Sequence, residues 1–175
     1  ANSYIVAFTG TESSFQDAYA NLNLGWTQWN VGREPLLEFL RTLGPLAQVN
    51  FTGHSLGGAL AQYAAYDYAG EAEPGSFSLT TFNAFGGVQG IQQNLGTYDS
   101  TRLAGIDVNQ FRVAADVVSR LGEGHVGGNV RVIDFPTFDF IAAHRLGTSF
   151  LSPTNSGYRG KKKVSGTIVC CDEVN

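Results

Sequence analysis

The sequence predicts an α/β fold: a mainly parallel sheet with helices on both faces, in a single domain over residues 1–175. Three observations carry that reading. The chain has 175 residues, 43% of them hydrophobic and only 15% charged, which suits one folded domain with a substantial core. Short strand-like runs alternate with helix-like segments, the pattern of a parallel sheet with crossover helices. The 22 glycines cluster in places such as Gly86-Gly87 and Gly127-Gly128, as many short connections require. No internal repeat or low-complexity linker interrupts the pattern.

The elements follow in order. Tyr4-Ile5-Val6-Ala7-Phe8 reads as a buried strand that leaves into the loop Thr9-Gly10-Thr11. Residues 15–30 mix Phe15, Tyr19, Leu22, Leu24, Trp26 and Trp29 with polar residues. Residues 34–43, EPLLEFLRTL, read as a helix with Pro35 in its first turn, ended by Gly44-Pro45. Residues 48–52 read as a strand, 56–69 as a helix with a small-residue face, and 77–82 as a strand followed by the loop NAFGG. Further strands are expected at 108–113 and 130–135, and a short helix within 138–150.

Composition narrows the partners. The net charge of −4 argues against a nucleic-acid footprint, which usually needs a basic face. The cluster Lys161-Lys162-Lys163 reads as a solvated turn, with weak support for contact with anionic lipid headgroups. Cys170 and Cys171 are adjacent, a spacing at which disulfide geometry is uncomfortable, and they form no metal motif. No run approaches the length of a membrane helix, and no signal peptide is visible.

The chemistry is concentrated in FTGHSLGGALAQ, residues 51–62. Gly53-His54-Ser55-Leu56-Gly57 fits G-x-S-x-G, the turn that lifts a serine to the apex between a strand and a helix. Flanking residues must be small because the backbone there is sharply bent. The strand-like 48–52 before it and the helix-like 56–69 after it supply the context that the five residues alone lack. A serine hydroxyl needs a base to take its proton, and the base needs a third group to fix its tautomer.

Three histidines compete for the role of base. His54 adjoins Ser55, and neighbours across such a turn point apart. His125 lies in the glycine-rich loop 122–128, and His144 follows the last strand. In G-x-S-x-G hydrolases the order along the chain is serine, acid, histidine, which favours His144 and leaves His125 as the alternative. Asp116 directly follows the strand 108–113 and is the favoured acid, ahead of Asp107, Asp99, Asp134 and Asp139. An oxyanion hole needs donors beside the serine. The backbone N–H of Leu56 and the N–H and hydroxyl of Thr11 suit that role, although Thr11 also reads as a plain helix cap.

These segments together resemble the class 3 lipase family of the α/β-hydrolase fold, including its bacterial lipase and phospholipase members. YIVAFTGTE resembles the family's oxyanion segment, VNFTGHSLGGALAQ its nucleophile segment and LTTFNAFGG the segment after the next strand. FRVAADVVSRLG resembles its acid segment and AAHRL its histidine segment, so the likeness spans most of residues 4–150. It implies Ser55 as nucleophile, Asp116 as orienting acid and His144 as general base, with Thr11 and Leu56 at the oxyanion hole. It also implies hydrolysis of carboxylic esters of lipids without metal or cofactor, transient contact with a membrane or lipid interface, and a secreted or extracellular location. The alternatives are a phospholipase A, for instance a secreted effector or toxin domain, and an inactive lipid-binding module. In relatives a lid often lies where Phe15 to Trp29 stand, so the resemblance lets Trp26 and Trp29 rest on a lipid surface, beside the plain reading that they are core. Thr9 and Val117 stand where the family often has arginine and proline. The strands and helices that usually precede the first motif are expected to be lacking.

Overall fold

The computed structural model describes residues 2–10, 23–122, 124–128, 130–134 and 139–145, and the backbone of 167–170. Thr11, the Lys161–Lys163 cluster, Cys171 and the part of the mixed segment before residue 23 lie outside the described residues. Six strands form one sheet: β1 (Ser3–Phe8), β2 (Gln48–His54), β3 (Ser76–Phe82), β4 (Asp107–Val113), β5 (Val130–Ile133) and β6 (Thr167–Cys170). Their spatial order is β5-β4-β3-β2-β1-β6, and every neighbouring pair is parallel. The helices are α1 (Trp26–Arg41), α2 (Leu56–Tyr68), α3 (Val88–Leu95) and the five-residue α4 (Phe140–His144).

The central strands alternate. Val49 and Phe51 of β2 and Phe77 and Leu79 of β3 are buried, whereas Asn50, Ser78 and Thr80 between them are half-buried and joined by hydrogen bonds from Asn50 Nδ2. Successive side chains leave a strand on opposite faces, so the apolar set lies on one face of the sheet. Helix α2 packs against β1, β2 and β3. All its residues are buried, and Ala59, Ala61, Ala64 and Ala65 are fully enclosed. A helix buried all round is mostly apolar or small, and the polar groups it does bury, Gln62 and Asp67, are hydrogen-bonded. Helix α1 packs on α2 in turn. Trp29 Nε1 donates to Asp67 Oδ2 at 2.9 Å, and Arg33 Nε meets the same oxygen at 2.7 Å, so the buried Asp67 is neutralised and hydrogen-bonded.

Several sequence expectations shift. Helix α1 starts at Trp26, not at residue 34, and Pro35 lies inside it. Proline removes a helical hydrogen bond to the carbonyl four residues back, here Val31, whose residue is 61% exposed and open to water. The burial of Trp26 and Trp29 favours the extra turns. Both rings are core: Trp29 packs edge-on against Phe8 and Trp26 against Tyr63. The reading of these tryptophans as a lipid-facing lid is therefore overturned. Helix α3 follows the expected loop NAFGG, in residues to which the sequence reading assigned no element. The expected strand 130–135 ends at Ile133, and of the expected helix within 138–150 the described part is Phe140–His144. Strand β6 was not foreseen and pairs with β1.

Candidate active site

The end of β2 and the start of α2 meet at Ser55, whose backbone sits at φ 59°, ψ −126°. That region is sparsely populated for residues with a Cβ and costs of order 1–3 kcal/mol. The turn is held by close backbone packing. A Cβ on Gly53 would run into the carbonyl of Gly57, and one on Gly57 into the carbonyl of Phe8. One on Gly58 would strike the side chain of Ala84. The glycines of the motif are thus required by the approach of β1, β2 and the loop after β3 to the head of α2. Gly10, next to Thr11, lies against the carbonyl of His54 and the Cβ of Ser55, so the loop after β1 runs beside the serine.

Three sequence-predicted residues come together at this turn. His144 Nδ1 lies 3.0 Å from both carboxylate oxygens of Asp116, and its Nε2 lies 2.8 Å from Ser55 Oγ. A carboxylate only accepts, so Nδ1 carries the proton and Nε2 is left to accept from the serine hydroxyl. Asp116 is fully buried and His144 nearly so. The chain after β4 turns back at once: Asp116 N–H donates to the Val113 carbonyl, and Asp116 Oδ1 accepts from Val118 N–H at 3.0 Å. His144 is the last residue of α4. Asp139 caps that helix, its Oδ1 accepting from the N–H groups of Ile141 and Ala142. Leu56 is the first residue of α2, where backbone N–H groups have no acceptor within the helix.

The other candidates lie elsewhere. His125 Nε2 donates to the Ser119 carbonyl at 3.2 Å, within a loop stapled to the start of α3 by bonds from Val88 and Gln89 to the Gly124 and Gly122 carbonyls. Asp99 accepts from Thr101, Asp107 from Asn109, and Asp139 serves as the helix cap. His54 is not remote: its Nε2 donates to the main-chain carbonyl of His144 at 2.6 Å. Two buried amides also converge here. Gln62 binds the carbonyls of Gly58 and Phe85 and the N–H groups of Gly87 and Val126, and so fixes the loops behind the serine turn. Asn83 reaches the histidine segment itself. Neither amide was singled out in the sequence, where only their places beside a glycine-rich helix start and at a strand end hint at them. Among the described residues, no group of three or more His, Cys, Asp or Glu side chains is placed to hold a metal ion.

The family model described as lipase (class 3) matches residues 7–122. The chain belongs to the class 3 lipase family. The matched part contains Ser55 and Asp116 and ends before His144. No curated protein matches the chain. Among solved structures, this class 3 lipase chain is similar to a structure described as a fungal lipase, at 21% identity and a TM-score of 0.50 over 67% of its length. It also matches a variant of MDLA from Penicillium cyclopium, at 24% identity and a TM-score of 0.48 over 65%. The chain spans 43% and 42% of those two proteins.

Burial favours the neutral form of two histidines, His54 and His125. Burial pushes His54 below the ordinary imidazole value of 6.5, partly offset by its bond to the His144 carbonyl. Burial does the same to His125, against the opposing bond to Ser119. Below pH 6.5 the unfolded chain therefore binds protons that the folded chain resists, and folding loses free energy as the pH falls. The thermal midpoint is expected to decline from pH 6.5 downward, and less so in the double variant His54→Gln, His125→Gln. An equal decline in both proteins would exclude the two rings as its source.

Proposed function

We propose that this chain is a serine hydrolase that cleaves carboxylic esters of lipids through an acyl-enzyme. The observation that carries the reading is the continuous hydrogen-bonded path from Asp116 through His144 to Ser55, at 3.0 Å and 2.8 Å, on a strained turn at a helix start. In this reading Ser55 Oγ attacks the ester carbonyl while His144 Nε2 takes its proton. The buried Asp116 carboxylate stabilises the imidazolium and holds the tautomer. The oxyanion of the tetrahedral intermediate rests on the N–H of Leu56 and on a donor from the loop after β1, for which Thr11 is the proposed residue. His144 then protonates the leaving alcohol. Water, activated by the same imidazole, releases the acid. A lipid substrate is supported by apolar side chains on the segments that carry the acid and base: Val117 is 49% exposed, Phe140 58% and Ile141 52%. Acyl chains and a lipid surface suit such a rim.

A fluorophosphonate probe tests the nucleophile, and a substrate panel tests the class. Wild type is expected to take one label per chain, and Ser55→Ala none. Wild type should also hydrolyse p-nitrophenyl esters and a triacylglycerol emulsion. Preference for phospholipid vesicles would assign a phospholipase A instead. Absence of both labelling and hydrolysis would leave a lipid-binding module.

A further inference from the structure

The helix that carries His144 is short and stops abruptly. Arg145 is extended at φ −66°, ψ 127°, so the carbonyls of Ala143 and His144 fall at a helix end that cannot satisfy them from within. Two side chains from other segments do so. Asn83 Nδ2 donates to the Ala143 carbonyl at 2.8 Å and to the His144 carbonyl at 3.1 Å. His54 Nε2 donates to the His144 carbonyl at 2.6 Å. Because a carbonyl only accepts, the bonded nitrogen of His54 is its protonated one.

Asn83 is itself tightly fixed. It is fully buried, with a left-handed backbone at φ 44°. Its N–H donates to the Phe111 carbonyl at 2.7 Å, and its Oδ1 accepts from Val113 N–H at 2.8 Å. That last bond settles which end of the amide faces α4. Val113 ends β4, three residues before Asp116. One amide thus ties the segment bearing the carboxylate to the segment bearing the imidazole, and His54 ties the latter to the residue beside Ser55.

We infer that Asn83 and His54 are positioning residues for His144, clamping its main chain so that the ring spans Asp116 and Ser55. The inference rests on the reading of His144 as general base. A misplacement of about 1 Å at such a site costs on the order of 100-fold in rate. Gln is the informative replacement at position 54, since its Nε2 reaches the place of the histidine Nε2 without ionising. Leu at 83 keeps the branched shape, with somewhat greater bulk, and removes both hydrogen-bonding ends.

The test compares kcat and KM for a soluble p-nitrophenyl ester in wild type, Asn83→Leu, His54→Phe, His54→Gln and His144→Ala. Each is measured well below its own thermal midpoint. Asn83→Leu and His54→Phe are expected to lose about 100-fold in kcat with KM little changed. His54→Gln should recover most of the rate. If Asn83→Leu does not fold, the two position 54 variants decide. Folded variants with wild-type kcat, beside an inactive His144→Ala, would reduce the contacts to helix capping and overturn the inference alone. An active His144→Ala would overturn the base reading and the inference with it.

Discussion

Replacing His144 by alanine is expected to lower kcat for ester hydrolysis by about 10⁴–10⁶-fold, because residues of such a constellation act as a unit. Without the imidazole, Ser55 Oγ loses the acceptor 2.8 Å away and Asp116 is left buried without its 3.0 Å partner. Fluorophosphonate labelling should slow in parallel, while KM for a soluble ester changes little. His125→Ala makes the control. Its ring serves the Ser119 carbonyl within a loop packed on the start of α3, so the variant should keep the wild-type kcat. Its loss is confined to stability, about 1 kcal/mol for a hydrogen bond of this kind. Activity in His144→Ala together with its loss in His125→Ala would transfer the role of base to His125.

Gly53→Ala is expected to be severely destabilising. The new Cβ would press on the carbonyl of Gly57 and lie 2.7 Å from the N of Gly58, all backbone of the serine turn. Neither side has room to give: β2 is paired with β1 on one flank and β3 on the other. Overpacking against immovable backbone puts the cost at about 3 kcal/mol or more. For a domain of this size that amounts to a fall of roughly 6–12 °C in the thermal midpoint, read by circular dichroism. Gly32→Ala within α1 is the contrast, since its Cβ would meet nothing within 4 Å. An interior helical glycine replaced by alanine gains about 0.5–1 kcal/mol. Equal midpoints for the two variants would contradict the packing account of the motif.

The parallel strands were legible because each is a short run of apolar and β-branched residues bounded by glycine or polar turns. Residues 4–8, 48–52, 77–82 and 108–113 all fall inside observed strands. The start of α1 was not, because Pro35 is a strong local signal for a first turn and the burial of Trp26 and Trp29 that overrides it is tertiary. Helix α3 had signals in Val88, Ile91 and Leu95 at helical spacing and in Gly96, which ends it in the left-handed conformation, but eight residues give a period little length in which to show. Strand β6 offers four residues and a partner at the opposite end of the chain, which no local pattern specifies. At the site, chain order pointed to Ser55, Asp116 and His144, which lie within hydrogen-bond reach of one another. The roles of Asn83 and His54 depend on bonds to main-chain carbonyls, and a carbonyl leaves no trace in a sequence.

The pairing of β6 with β1 has a consequence for how the protein matures. Strand β1 leaves the ribosome well before its neighbour Thr167–Cys170, with residues 9–166 between them. Until β6 emerges, the edge of β1 that it covers carries unpaired N–H and C=O groups, a template for any other strand. Closing it requires a contact between segments far apart in sequence, the kind of pairing that slows folding. Crowded nascent chains would therefore compete with β6 for that edge, and aggregation during expression should grow with any delay in completing β6.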